Sequence, residues 1–265
     1  MLVLGYAHTS GDVLFDPSIP LQGVDASTNT FILAYLQTLS LAGRTTNLLI
    51  ELPYSWGTTE GRIIGILPAK SEYAGMNDAG ITLAINLLGA PSMTASDFEA
   101  LRAKPRPILG ASIKIIPPTG SYNPKRLVNV GANRWATRLE LGSIFPIRPG
   151  WLFELDAGVW LFGDDENSLT GPRQQDPIYE VEMNLVRRIK PGLWASVDFN
   201  YFTGGRQAIG GTKLEDTQEN SRIGATIAFP VAKRQMIKMG YSVGVKTQFG
   251  SNFNQFLVTY QVLLP

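Results

Sequence analysis

The chain has 265 residues, 44% of them hydrophobic and 17% charged, with a formal net charge of +1 and no cysteine. That length suits one large all-β domain or two small ones, and without a linker the single domain is the simpler organisation. No run of about eighteen apolar residues occurs, which excludes a transmembrane helix, and the lack of a basic stripe argues against a nucleic-acid partner.

In chain order, the first strand is predicted at 2–9, with the lone histidine, His8, near its end. A long connection at 10–27 carries Leu14, Phe15 and Ile19, apolar for a segment meant to face water. It therefore packs on a rim or folds into a barrel mouth, where these three side chains would form a constriction or a ligand contact. Strands follow at 28–39 and 45–56 across a short turn, then a long connection at 57–78 and a strand at 79–88. The stretch 89–107 is long where a short turn is expected. Within it Ser96-Asp97-Phe98-Glu99 has the spacing of a capping box, which predicts a short periplasmic helix near 96–103, either a surface element or a cover on the pore.

Strands at 108–116, 134–144, 151–161, 178–189, 193–202, 218–229, 235–247 and 253–263 bring the count to about twelve. Alternation is clearest at 193–202: Leu193, Ala195, Val197, Phe199 and Tyr201 share one face, and Trp194, Ser196, Asp198 and Asn200 the other. Side chains alternate faces along a strand, so this segment has one greasy wall and one wet wall. The same pattern recurs at 151–161, 179–187 and 237–245. Repeated between alternating short and long connections, it implies an all-β fold, a transmembrane antiparallel up-and-down β-barrel spanning 1–265 in the bacterial outer membrane. Short turns and the N-terminus then lie on the periplasmic side. The start Met1-Leu2-Val3-Leu4 has no signal-peptide pattern and the end Leu263-Leu264-Pro265 has no terminal aromatic, as expected of a mature, trimmed or engineered chain.

Several segments, taken in order, carry a family likeness: Gly11-Asp12-Val13-Leu14-Phe15-Asp16-Pro17, Leu52-Pro53-Tyr54-Ser55-Trp56-Gly57, Asn86-Leu87-Leu88-Gly89-Ala90-Pro91, Ser121-Tyr122-Asn123-Pro124 with Asn133-Arg134-Trp135, Gln175-Asp176-Pro177, and Asn220-Ser221-Arg222-Ile223-Gly224-Ala225. Together they resemble the outer-membrane channel family labelled "MetA-pathway of phenol degradation", nearly end to end. The resemblance implies a monomeric twelve-stranded barrel that passes small, poorly soluble molecules, in organisms that degrade aromatic compounds. The label is an association and implies no enzyme activity.

Parity places Lys114, Arg134, Arg138, Arg222, Lys238 and Lys246 on the inward wet face, beside Glu51, Glu140, Glu154, Asp156, Glu180, Glu182 and Asp198. A charge on the lipid face costs about 2–4 kcal/mol at mid-membrane, so these residues are expected to line the pore. They either close into ladders that fill the lumen or leave a polarised constriction that sorts solutes. Twelve strands lie between the filled barrels of about eight and the open channels of about sixteen, so any path is narrow. The five tryptophans, mostly near strand ends, read as interfacial anchors, although parity turns Trp160 and Trp194 inward, where they could stack on a solute. Asp164-Asp165-Glu166 reads as a solvated acidic loop, or as a divalent-cation bridge to lipopolysaccharide.

These features imply passive uptake of small hydrophobic or aromatic solutes, with the lipid bilayer and lipopolysaccharide as surroundings and no cofactor, metal or catalytic residue. Three alternatives stand beside it. A closed barrel would be a structural or surface protein; a soluble barrel binding a lipophilic ligand would invert the parity. A lipid hydrolase would use His8-Thr9-Ser10, which has the His-x-Ser spacing of outer-membrane phospholipases, although Gly11 stands where those enzymes carry an Asn.

Overall fold

The computed structural model describes the chain except residues 13–20, 64–67, 127, 170 and 265. Its elements are β1 (Leu2–Asp12), β2 (Leu21–Leu41), β3 (Arg44–Ile63), β4 (Pro68–Met76), β5 (Gly80–Leu88), α1 (Ala95–Ala103), β6 (Ile108–Ile116), β7 (Ala136–Arg148), β8 (Trp151–Phe162), β9 (Arg173–Gln175), β10 (Ile178–Lys190), β11 (Leu193–Gly204), β12 (Gln207–Ile209), β13 (Thr212–Lys213), β14 (Gln218–Ala232), β15 (Gln235–Lys246) and β16 (Asn252–Val262). Pairing runs β2-β1-β16-β15-β14-β11-β10-β8-β7-β6-β5-β3, and β3 pairs back onto β2. The far half of β3 pairs with β4 and its near half with β5, so β4 and β5 share one position in the wall. The result is a closed antiparallel barrel of twelve wall positions, which leaves no open edge among them.

Burial follows the alternation with the opposite sign to a soluble protein. Val197 and Tyr241 are each 54% exposed, and Leu33, Leu52, Ile81, Leu141 and Ile223 also lie open on the outer surface. The most buried side chains are small or polar, among them Ala7, Ala34, Ala228, Thr46 and Ser55. Apolar outside and polar inside is the arrangement of a barrel solvated by lipid, the opposite, among the described residues, of the parity of a soluble ligand-binding barrel.

Turns distinguish the two ends. At one end, tight hairpins join β2 to β3, β7 to β8, β10 to β11 and β14 to β15; Ala42 and Gly43 both take positive φ, 50° and 71°, as a two-residue hairpin matched to strand twist requires. The helix α1 lies at this turn end. At the loop end β2, β3 and β4 run on beyond the barrel, and β9, β12 and β13 form a separate small sheet. Much of the predicted connections at 10–27 and 57–78 is thus strand. Leu14, Phe15 and Ile19 lie outside the described residues. The helix cap also differs from the sequence expectation: Thr94 is the N-cap and Asp97 completes the box, two residues ahead of the Ser96–Glu99 pairing.

Candidate functional site in the lumen

Register brings the inward side chains of β7, β8 and β10 side by side: Glu140 faces Gly158, which faces Glu180, and one step nearer the turn end Gly142 faces Asp156, which faces Glu182. Arg138, inward on β7, reaches over β8 to ion-pair with Glu180, and its Nη2 lies 2.5 Å from Glu140 and 2.9 Å from Glu182. Trp160 Nε1 donates to the other oxygen of Glu180 at 3.0 Å. Glu180 is only 5% exposed, which a carboxylate tolerates because both oxygens are satisfied and a cation is adjacent. The crossing depends on Gly158, where an added Cβ would sit 2.6 Å from Glu180 Oε1. The same device recurs on β5: Lys114 on β6 pairs with Glu51 on β3 at 2.5 Å, over Gly80, whose added Cβ would meet both partners at 3.1 Å. Since Lys114 is in register with Arg138, these pairs form one charge belt from β3 to β10.

Between the belt and the turn end lies a cavity of about 1330 Å³, with Glu154, Glu182, Asp198 and Lys238 in its wall beside Trp194 and Met236. Asp198 accepts from Thr226 Oγ1 at 2.8 Å, and Lys238 lies 5.9 Å from the Trp194 ring centroid. A smaller space of about 260 Å³ adjoins Glu140, Glu154 and Asp156. Glu99, Arg102 and Ala103 of α1 border the large cavity, so the helix lies at its turn-end mouth. It is strapped on both sides. Arg188 Nη2 on β10 donates to the Arg102 carbonyl at 2.6 Å, while Ser92 N donates to Gly43 O and Thr45 Oγ1 to Pro91 O. At the cap the Thr94 hydroxyl and backbone N–H hold the Asp97 carboxyl below its ordinary range.

Other sequence-selected residues, Trp194 aside, lie apart from this cavity. Arg134 precedes β7 instead of opening it, donating to Gln175 and lying over the Phe162 ring at the loop end. Lys246 pairs with Glu219 at 2.5 Å with both side chains substantially exposed, so it belongs to the rim. Arg222 stacks 3.8 Å from the Phe253 ring centroid and donates to Ser242. Trp160 and Trp194 point inward, unlike the exposed Trp56 and Trp135. Asp165 is buried, not solvated, and accepts from Tyr122, Asn133 and the Asn167 N–H. His8 lies on the outer surface, its Nδ1 3.0 Å from Asn29 Oδ1. Sequence reasoning passed over Gly80 and Gly158; the available signal was a glycine at an inward position between strands bearing long charged side chains.

Solved outer-membrane barrels share this architecture. An outer membrane channel from Pseudomonas putida F1 aligns with a TM-score of 0.79 at 19% identity, covering 99% of this chain and 94% of that one. The beta domain of the Bordetella autotransporter Brka gives 0.60 at 13% identity over 99% and 98%, and the NanC porin 0.53 at 6% over all of both chains. No curated protein matches the sequence. A family model described as "Putative MetA-pathway of phenol degradation" matches residues 10–255.

Proposed function

This chain belongs to the "MetA-pathway of phenol degradation" family, and from that premise we propose that it is a passive bacterial outer-membrane channel for small hydrophobic or aromatic solutes. The observation that carries this reading is the cavity of about 1330 Å³ inside the barrel, large enough for a single-ring solute. Its wall is mixed. Trp194, Met236, Leu152 and Val186 offer apolar contact while Asn184 and Asn200 offer hydrogen bonds, a combination suited to a ring bearing one or two polar groups. The belt from Glu51 and Lys114 through Arg138, Glu140, Glu180 and Glu182 narrows the path, and Glu154, Asp156, Asp198 and Lys238 polarise it.

In this reading the barrel is a monomer seated in lipid and lipopolysaccharide, with the turn end and α1 toward the periplasm. Arg134, Arg222 and Lys246 lie nearer the outer mouth, and Leu14, Phe15 and Ile19, outside the described residues, are proposed from their apolar chemistry alone as solute contacts. The lumen works without catalysis. Planar-bilayer recording tests the proposal: discrete conductance steps, with faster entry of a toluene-like probe than of a sugar into proteoliposomes, are expected. A folded, inserted barrel that stays silent and passes neither would make it a closed scaffold.

A further inference from the structure

We propose that the outer surface of β1 and β2 carries an ester-hydrolysing site for membrane lipid, with Ser10 as nucleophile, His8 as its base and Asn29 as the residue that positions His8. His8 and Ser10 are two apart on β1 and so share a face, the one on which Leu4 and, across the pair, Phe31 and Leu33 lie exposed. Asn29 stands directly opposite His8 on β2, and its Oδ1 is 3.0 Å from His8 Nδ1. An amide oxygen only accepts, so in the neutral ring this contact selects the tautomer with the proton on Nδ1 and the lone pair on Nε2, the one a general base needs. The Tyr6 hydroxyl donates to the same Oδ1 at 2.7 Å, which holds the amide in this orientation. The orienting asparagine that the sequence lacks beside Ser10 is thus supplied by the neighbouring strand.

Depth favours a lipid ester. On the turn-end side of His8 the outer face carries Leu4, Leu33 and Val258; on the loop-end side it carries Ser10, Ser27, Asn254 and Asp12. Trp56, in register with Asn29, lies at the changeover. Apolar giving way to polar beside an exposed tryptophan marks the interface between acyl chains and headgroups, where the acyl ester bonds of membrane lipids sit.

The chemistry closes on these residues and water. Ser10 Oγ bonds to the acyl carbonyl carbon as His8 Nε2 takes its proton. The tetrahedral oxyanion then collapses, the ester C–O bond breaks, and His8 returns the proton to the departing lysolipid oxygen. Water, deprotonated by His8, attacks the acyl-serine and releases fatty acid and Ser10. Asn254 and Ser27, opposite Ser10 in register on the same face, carry donors suited to the oxyanion. Ser10 and His8 are not hydrogen-bonded to each other without substrate. Their positions are about 7 Å apart along one face of the strand, and catalytic hydrogen bonds are commonly long or unformed until substrate binds.

The test uses the full chain refolded in detergent, with mixed micelles of a diacyl phosphatidylcholine and, separately, a fluorophosphonate probe. Fatty-acid release and a fluorophosphonate adduct on the Ser10 peptide are expected. Release should fall about 100-fold or more in Ser10→Ala and His8→Ala and about 10-fold in Asn29→Ala, with partial recovery in Asn29→Asp. Heat-modifiable gel mobility and bilayer conductance should be unchanged in all four, which separates this site from the channel. No release and no adduct in the unmodified protein, or release that survives Ser10→Ala, would overturn it.

Discussion

The lumen has two unlike walls. Inward positions on β1, β2 and β16 are Val3, Gly5, Ala7 and Thr9, then Thr28, Thr30, Ile32 and Ala34, then Gln255, Leu257, Thr259 and Gln261, with no charge among them. Those on β7, β8, β10 and β11 include Arg138, Glu140, Glu154, Asp156, Glu180, Glu182 and Asp198. Both walls satisfy the same barrel geometry, so backbone hydrogen bonding does not call for the charges. The uncharged wall packs by small side chains, as where Gly5 meets Ile32. The charged wall instead binds strand to next-but-one strand, through long side chains laid over glycines. Closing a barrel therefore needs no ion pairs, and their concentration beside the cavity is what a polarised path would require.

The largest expected effect breaks the charged wall. Arg138→Met leaves Glu140, Glu180 and Glu182 without their shared cation and should cost about 3–5 kcal/mol, whereas Thr30→Val opposite should cost no more than about 1 kcal/mol; urea unfolding in detergent, followed by tryptophan fluorescence, compares them. Next, Val197→Arg places a guanidinium against lipid at about 2–4 kcal/mol, while Asn200→Arg turns it inward and should be tolerated. Heat-modifiable gel mobility reports folding, and equal loss in both would contradict the assigned faces. A smaller contrast sets Gly158→Ala, whose Cβ would crowd Glu180, at about 1–3 kcal/mol, against Gly240→Ala, where the nearest atom is 3.4 Å away and little change is expected.

The smallest effect concerns α1. Because the folded protein holds the Asp97 carboxyl below its ordinary value of 3.8, its contribution to the cap is complete above that value and is lost as pH falls through the lower folded one. A spin label at Ala100 should therefore gain mobility only in that acid window, and Asp97→Asn should blunt the pH dependence.

How much of this was legible in the chain depends on alternation. At 108–116, 151–161 and 193–202 the period-two pattern matches β6, β8 and β11 within two residues, because one face meets lipid and the other water. Where that contrast fades, so did the reading: the far ends of β2 and β3 are rich in Gly, Ser and Thr and, with β4, whose charged residues Lys70 and Glu72 lie among small ones, protrude beyond the barrel, and Arg173–Gln175 is too short to show a period. The lumen acids were visible by parity, but their partnership through Arg138 was not, since it joins residues 42 and 44 apart in sequence. Asn29, 21 residues from His8, was hidden for the same reason: only register brings them together.

The central claim is that the carboxylates in the cavity wall face the conducting path. Glu180 is a poor choice to test it, being covered by Arg138 and Trp160. Glu154 and Asp198 border the cavity directly. Reversal potentials under a salt gradient, measured for Glu154→Gln combined with Asp198→Asn, should move toward anion selectivity because Lys238 and the Arg188 side of the mouth are unmasked, while Gln255→Leu on the uncharged wall should leave them in place. Channels of unaltered selectivity after both acids are neutralised would contradict the account.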